Sequence, residues 1–163
     1  MLAATVLAET TEDIYSMTIA LGSDHGGFEL KSAIITHLQK SGYTLKDCGV
    51  YDTCASDYPD NAVPVCEAVL AGDADLGILI CGTGIGISIS ANKIRGIRCA
   101  LCGDVFSAKM ARLHNDAQIL ALGGRVVGPG LALEIVDAFL STPFSGEARH
   151  ANRVEKIMKL EDR

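Results

Sequence analysis

The run Leu76-Gly77-Ile78-Leu79-Ile80-Cys81 is apolar throughout and stops on a glycine-rich turn, Gly82-Thr83-Gly84-Ile85-Gly86. An apolar stretch without alternation has no face to offer water, so it fits a strand of a parallel sheet covered on both sides. The same grammar recurs along the chain. Strand signals over residues 18–22, 43–48, 76–81, 97–101 and 117–122 are separated by helical patterns over 28–41, 60–71, 85–93 and 106–113. Further helices are expected over 129–140, where Pro129 suits a first turn, and over 147–161. Strand and helix in succession, joined by short connections, predict an α/β fold: a five-stranded parallel sheet with helices on both faces and right-handed crossovers.

At 163 residues, 48% of them hydrophobic, the chain is long and apolar enough for one domain with a sizeable core. It has no Trp and only 5% aromatics, so that core must be made of Ile, Leu, Val and Ala. A net charge of −6 speaks against a nucleic-acid partner; any anion site is a local basic cluster in an acidic protein. No stretch approaches the roughly 20 apolar residues that cross a bilayer. Residues 1–16 contain Glu9, Glu12 and Asp13 and lack the basic start and apolar run of a signal peptide. A cytoplasmic location is expected. The domain is placed at residues 17–163, with 1–16 read as an extension, a flexible arm or a misassigned start.

The cysteines are Cys48, Cys54, Cys66, Cys81, Cys99 and Cys102. Cys99 and Cys102 have redox or zinc-ligand spacing, but in a strand positions three apart face opposite sides. No second pair at zinc-ribbon spacing exists, so both read as structural. Cys66 lies at helical spacing among apolar residues and reads as core. Cys48 and Cys54 have no evident partner.

Open parallel sheets bind ligands beyond the carboxyl ends of their strands. Two polar clusters fall there, Ser23-Asp24-His25-Gly26-Gly27 and Cys81-Gly82-Thr83-Gly84, and they should meet in space. Loop amides and a helix start favour an anion above the second cluster and a thiolate at Cys81. The glycine pattern only partly matches a dinucleotide fingerprint: Ile87 stands where a glycine is needed, and Asp104, at the distance of the ribose-binding acid, belongs to another connection. A phosphate or oxyanion nest fits better. Asp24 and His25 read equally as a helix cap with a surface histidine or as a proton-exchanging acid with an anion contact. His114, before Asn115 and Asp116, could simply cap a helix end. Arg149 and Arg153 share a helix face that could be merely solvated; with Arg125 and His25 they would also make a phosphate clamp. The apolar stripe of the last helix, Val154, Ile157 and Met158, is narrow, as for a helix that packs on a partner or leans on the domain edge.

Taken in order, Ser23-Asp24-His25-Gly26-Gly27, Asp57-Tyr58-Pro59, Ile80-Cys81-Gly82-Thr83-Gly84-Ile85-Gly86, Ala91-Asn92-Lys93, Gly96-Ile97-Arg98, His114-Asn115, Gly124-Arg125-Val126-Val127 and Arg149-His150-x-x-Arg153 resemble the B-type ribose-5-phosphate isomerases, a family shared with galactose-6-phosphate isomerase subunits. The resemblance runs from Met17 to the C-terminus. It implies a Rossmann-like three-layer sandwich whose C-terminal helix packs on a partner subunit. It also implies a homodimer or dimer of dimers with shared active sites, and aldose–ketose isomerisation of a sugar phosphate without metal or organic cofactor. On matching positions it implies Cys81 as the base, His114 with Asp24 as the ring-opening pair, and Thr83 with the amides of Gly82, Gly84 and Gly86 as the enediolate site. His25, Arg125, Arg149 and Arg153 would bind phosphate, and Tyr58 and Asn115 would line the sugar. Members that use a glutamate near the end of this loop differ from this chain, which has Gly86 and Ile87 there. Ribose 5-phosphate is the expected substrate. The alternatives are a six-carbon sugar phosphate, such as galactose or allose 6-phosphate, or a non-catalytic binding module for a sugar phosphate or nucleotide.

Overall fold

The computed structural model describes residues 17–163; the expectation for 1–16 lies outside the described residues. Strand β1 (Thr18–Ser23) leads to helix α1 (Phe28–Lys40), β2 (Thr44–Asp47), α2 (Tyr58–Ala71), β3 (Leu76–Cys81) and α3 (Ile85–Ala91). Then follow β4 (Cys99–Leu101), α4 (Val105–Asn115), β5 (Ile119–Gly123), α5 (Pro129–Leu140) and α6 (Ala148–Met158), closed by a 3-10 turn at Lys159–Asp162. The five strands are all parallel, in the order β2-β1-β3-β5-β4.

Alternate residues of β1, β3 and β5 feed two separate cores, while β2 at the sheet edge adds only Leu45. Ile19, Leu21, Ile78, Ile80, Leu120 and Leu122 pack under α1, α4 and α5. Ala20, Leu79, Cys81, Ile119 and Ala121 pack under α2 and α3. This is the physical reason for the non-alternating strand sequences: both faces are dry, in a three-layer α/β/α sandwich. The apolar-to-polar switch at Cys81 marks where the strand leaves the covered zone. Cys81 thus ends β3 facing the α2–α3 layer, 3% exposed.

Cys102 joins the first core and Cys99 packs against the second, so the pair does straddle the sheet, and Cys66 is buried in the second core. Several elements are shorter than the patterns imply. The strand expected over 97–101 forms only at Cys99–Leu101, because the Ile97 amide turns back to Ile94 O and the Arg98 amide is taken by Gln118 Oε1 at 2.8 Å. The helix expected over 85–93 ends at Ala91, where the Asn92 side chain bridges Ser88 O and Cys99 O. The helix expected over 60–71 begins earlier, at Tyr58, with Pro59 in its first turn.

Candidate active site

The strand order places the ends of β1 and β3 side by side, and their polar clusters do meet. The Asp24 amide donates to Ile80 O at 3.1 Å, and the Asp24 carboxylate, almost wholly buried, accepts the Gly27 amide at 3.1 Å. Asp24 thus closes the turn ahead of α1, whose N-cap is Gly27 and has no side-chain cap, and one carboxylate oxygen suffices for that turn. The neighbouring His25 is exposed, and its Nδ1 accepts the Ser56 amide at 3.3 Å. An acceptor at Nδ1 leaves the proton of the neutral ring on Nε2.

At the end of β3, the Gly84 amide donates to Cys81 Sγ at 3.1 Å, within reach for sulfur. This turn is only possible with glycine at position 84. Its φ is +77°, and a Cβ there would lie 2.5 Å from Leu101 Cδ1 and 2.8 Å from the Leu122 carbonyl carbon. Gly86 lets another group in: a Cβ would stand 2.6 Å from the Tyr58 ring, so Tyr58 packs directly on the loop. Thr83 is exposed, and its hydroxyl accepts the Ile85 amide at 3.3 Å. Helix α3 spans seven residues, so the loop amides, rather than a long helix dipole, are the local source of positive potential.

Arg125 is delivered from the end of β5. Its amide donates to Gly82 O at 3.0 Å, the Gly124 amide donates to Cys81 O at 2.8 Å, and its guanidinium lies over Gly82. Between Arg125 and His25 opens a cavity of about 210 Å³, also lined by Glu29 and Thr53. Sequence reasoning missed Thr53, Ser56 and Glu29. The first two sit in a connection without periodic signal, and Glu29 reads as an ordinary first-turn acid.

The remaining predicted residues lie elsewhere. His114 and Asn115 end α4, just before β5 begins beside Gly77. Cys81 is four residues further along β3, at about 3.3 Å of rise per residue. His114 is thus at the amino edge of the sheet and Cys81 at the carboxyl edge. Arg149 and Arg153 belong to the same amino-edge group, since α6 packs on the end of α4: the His150 ring sits on the His114 ring, with centroids 4.2 Å apart. Arg149 is exposed and pairs with Glu147 at 2.8 Å, which holds the Glu147 carboxyl below its usual range. Asn115 O accepts Arg98 Nε at 3.0 Å. The clamp of four basic residues is therefore not assembled within one chain. Asp104, the residue of the partial dinucleotide pattern, caps α4 through the Ser107 amide at 2.7 Å.

A profile of the ribose/galactose isomerase family matches residues 19–157. The chain belongs to this family. It is 51% identical over 150 residues to a putative sugar phosphate isomerase of Bacillus subtilis, covering 90% of this chain and 99% of that protein. It is 50% identical over 145 residues to ribose-5-phosphate isomerase B of Escherichia coli, covering 89% and 97%. The fold superposes on ribose-5-phosphate isomerase B of Clostridium thermocellum with a TM-score of 0.88 at 54% identity, covering 90% of this chain and 98% of that one.

Proposed function

We propose that this protein interconverts ribose 5-phosphate and ribulose 5-phosphate through a cis-enediolate, in a cytoplasmic metabolic setting. The observation that carries the reading is Cys81 at the end of β3 with a main-chain donor on its sulfur, in a loop that meets Asp24 and carries Arg125 over Gly82. Proton abstraction next to a carbonyl builds negative charge on oxygen, and preorganised amides stabilise it. In this scheme His114 protonates the furanose ring oxygen while Asp24 assists loss of the C1 hydroxyl proton, which opens the ring to the aldehyde. The Cys81 thiolate takes the C2 proton, and the electron pair moves onto the C1 oxygen. Thr83 and the amides of Gly82, Gly84 and Gly86 hold the enediolate. A proton passes from the C2 oxygen to the C1 oxygen, and Cys81 returns its proton to C1, leaving the ketone at C2.

The scheme needs His114 within reach of Cys81, and so a second copy of the chain. The amino-edge group of one protomer (His114, Asn115, Arg149 and Arg153) would complete the carboxyl-edge group of its partner (Asp24, His25, Tyr58, Cys81, Thr83 and Arg125). Phosphate would then lie among His25, Arg125, Arg149 and Arg153. Support comes from exposed apolar side chains at the Cys81 loop, namely Ile85 within it, Leu101 against Gly84 and Val126 against Gly123. On the other edge, Ile157 and Leu160 line a groove of about 500 Å³ with Asn115.

Turnover of ribose 5-phosphate, with chelator present, tests the reading for the wild type and Cys81→Ala. Activity that vanishes in the variant supports it. An inactive wild type that accepts allose or galactose 6-phosphate moves the substrate to the six-carbon class. Tight binding of sugar phosphate without any turnover would leave a binding module.

A further inference from the structure

The amino-edge cluster contains a buried imidazole that the scheme above does not use. His150 is 3% exposed although most of its helix is exposed, with only Val154 and Met158 partly covered. Its ring packs on that of His114 at an interplanar angle of 41°, with a centroid separation of 4.2 Å. On the other side, His150 Nδ1 lies 2.7 Å from Ser145 Oγ. Ser145 is itself fixed: its amide donates to Leu113 O at 3.1 Å, and its hydroxyl oxygen accepts the Glu147 amide at 3.3 Å. The contacts therefore form a closed circuit. They leave α4 at Leu113, pass through Ser145 and His150, and return to the ring of His114, the next residue.

A half-buried histidine at a helix end has several rotamers open to it, and a proton donor that swings loses its advantage of placement. We propose that His150, held by Ser145, is a positioning residue that fixes the His114 imidazole in the orientation that opens the sugar ring. The proposal rests on the isomerase reading and deepens it. Burial, and after it the charge of His114, pushes the His150 imidazole below its ordinary value; Arg149 and Arg153 act in the same direction and Glu147 opposes them. His150 thus stands as a packed wall against the His114 ring.

The test separates ring opening from proton transfer. Ribulose 5-phosphate is acyclic, so exchange of its C1 proton in deuterium oxide needs the base but no ring opening. Turnover of the cyclic aldose needs both. In full-length His150→Phe and Ser145→Ala enzymes, aldose turnover is expected to fall roughly 10- to 100-fold, with C1 exchange within about twofold of wild type. Ser145→Thr, which keeps the hydroxyl, should restore turnover. Ser145→Ala leaves the imidazole in place and decides the matter should His150→Phe fail to fold. Parallel loss of both rates, or unchanged turnover, overturns the proposal. Wild type that shows neither exchange nor turnover would sink the isomerase reading itself, and this proposal with it.

Discussion

Cys81 and His114 stand at opposite edges of one parallel sheet, the first at the end of β3 and the second in the last turn of α4, before β5 starts beside Gly77. No side-chain rotation brings them together within a chain. A site that uses both must be built across two protomers, and each dimer then holds two such sites. Cys81→Ala and His114→Asn should each be inactive alone. Unfolded together and refolded at equal amounts, half of the dimers are mixed and each carries one intact site, so about a quarter of wild-type turnover should return. Absence of any recovery in verified mixed dimers would show that both residues serve the same chain's site; activity in either single variant would show that residue to be idle.

Gly84 places the donor on the Cys81 sulfur, and only glycine accepts its geometry. With φ at +77° and the Leu122 backbone 2.8 Å from an added Cβ, Gly84→Ala must both strain the turn and push it off β5. A loss of about 1–3 kcal/mol in unfolding free energy is expected from the backbone conformation. Turnover should fall further than KM rises, because the displaced amide faces the sulfur proposed as the base rather than the phosphate. Urea titration and steady-state kinetics on the same preparation check both halves; an intact kcat would mean that the amide has no catalytic part.

Much of this architecture is legible in the residues. Strand β3 and helix α5 fall where the patterns place them, since an unbroken apolar run and a proline-led amphipathic segment leave little choice. The meeting of Asp24 with the Cys81 loop follows from strand ends alone. What the pattern could not provide was tertiary competition for single hydrogen bonds. The Arg98 amide looks like a strand donor but goes to the Gln118 side chain, and β4 shrinks to three residues. His150 reads as one more charged-helix residue, because its burial depends on Ser145, which lies in a connection with no periodicity. The separation of the basic clamp into two groups follows from helix direction, a consequence of topology rather than of motif.

The buried thiols predict a chemical selectivity. Burial pushes Cys66 up to about 12 and Cys102 up to about 11, and raises Cys99 further, all from an ordinary value near 9. At pH 8 these sulfurs are protonated, and Cys66 and Cys102 are also buried, so iodoacetamide should leave those two unmodified in the native protein and label them after unfolding. The same shifts fix the sign of an alkaline effect. Between the unfolded value and the folded values, the folded chain holds more protons, so stability is complete below about pH 9 and declines as pH rises toward 11 and 12. Cys66→Ala should remove part of that slope. A melting temperature that rises from pH 9 to 11 would contradict the assignment.

Lys31 gives the last prediction, since it is a buried charge close to the site but outside it. It is 1% exposed, with its ammonium 2.6 Å from Asp47 Oδ1, 2.7 Å from Val50 O, and over the rings of Tyr51 and Phe28. Val50 donates its amide to Ser23 O, and Ser23 donates to Gly49 O, so the segment that Lys31 grips lies against the residue before Asp24. Asp47→Ala strips the ammonium of its counter-charge and the Gly49 amide of its acceptor at 3.0 Å. Asp47 is partly exposed, so water replaces some of what is lost, and a destabilisation of about 1–3 kcal/mol is expected rather than the larger cost of a fully buried pair. Lys31→Met in the same background removes the stranded charge while keeping the stem in the core. The double variant should therefore be more stable than Asp47→Ala alone, which a thermal melt of the three proteins decides. If the double variant is the least stable, the two side chains act independently, and the ion pair is not what holds this segment.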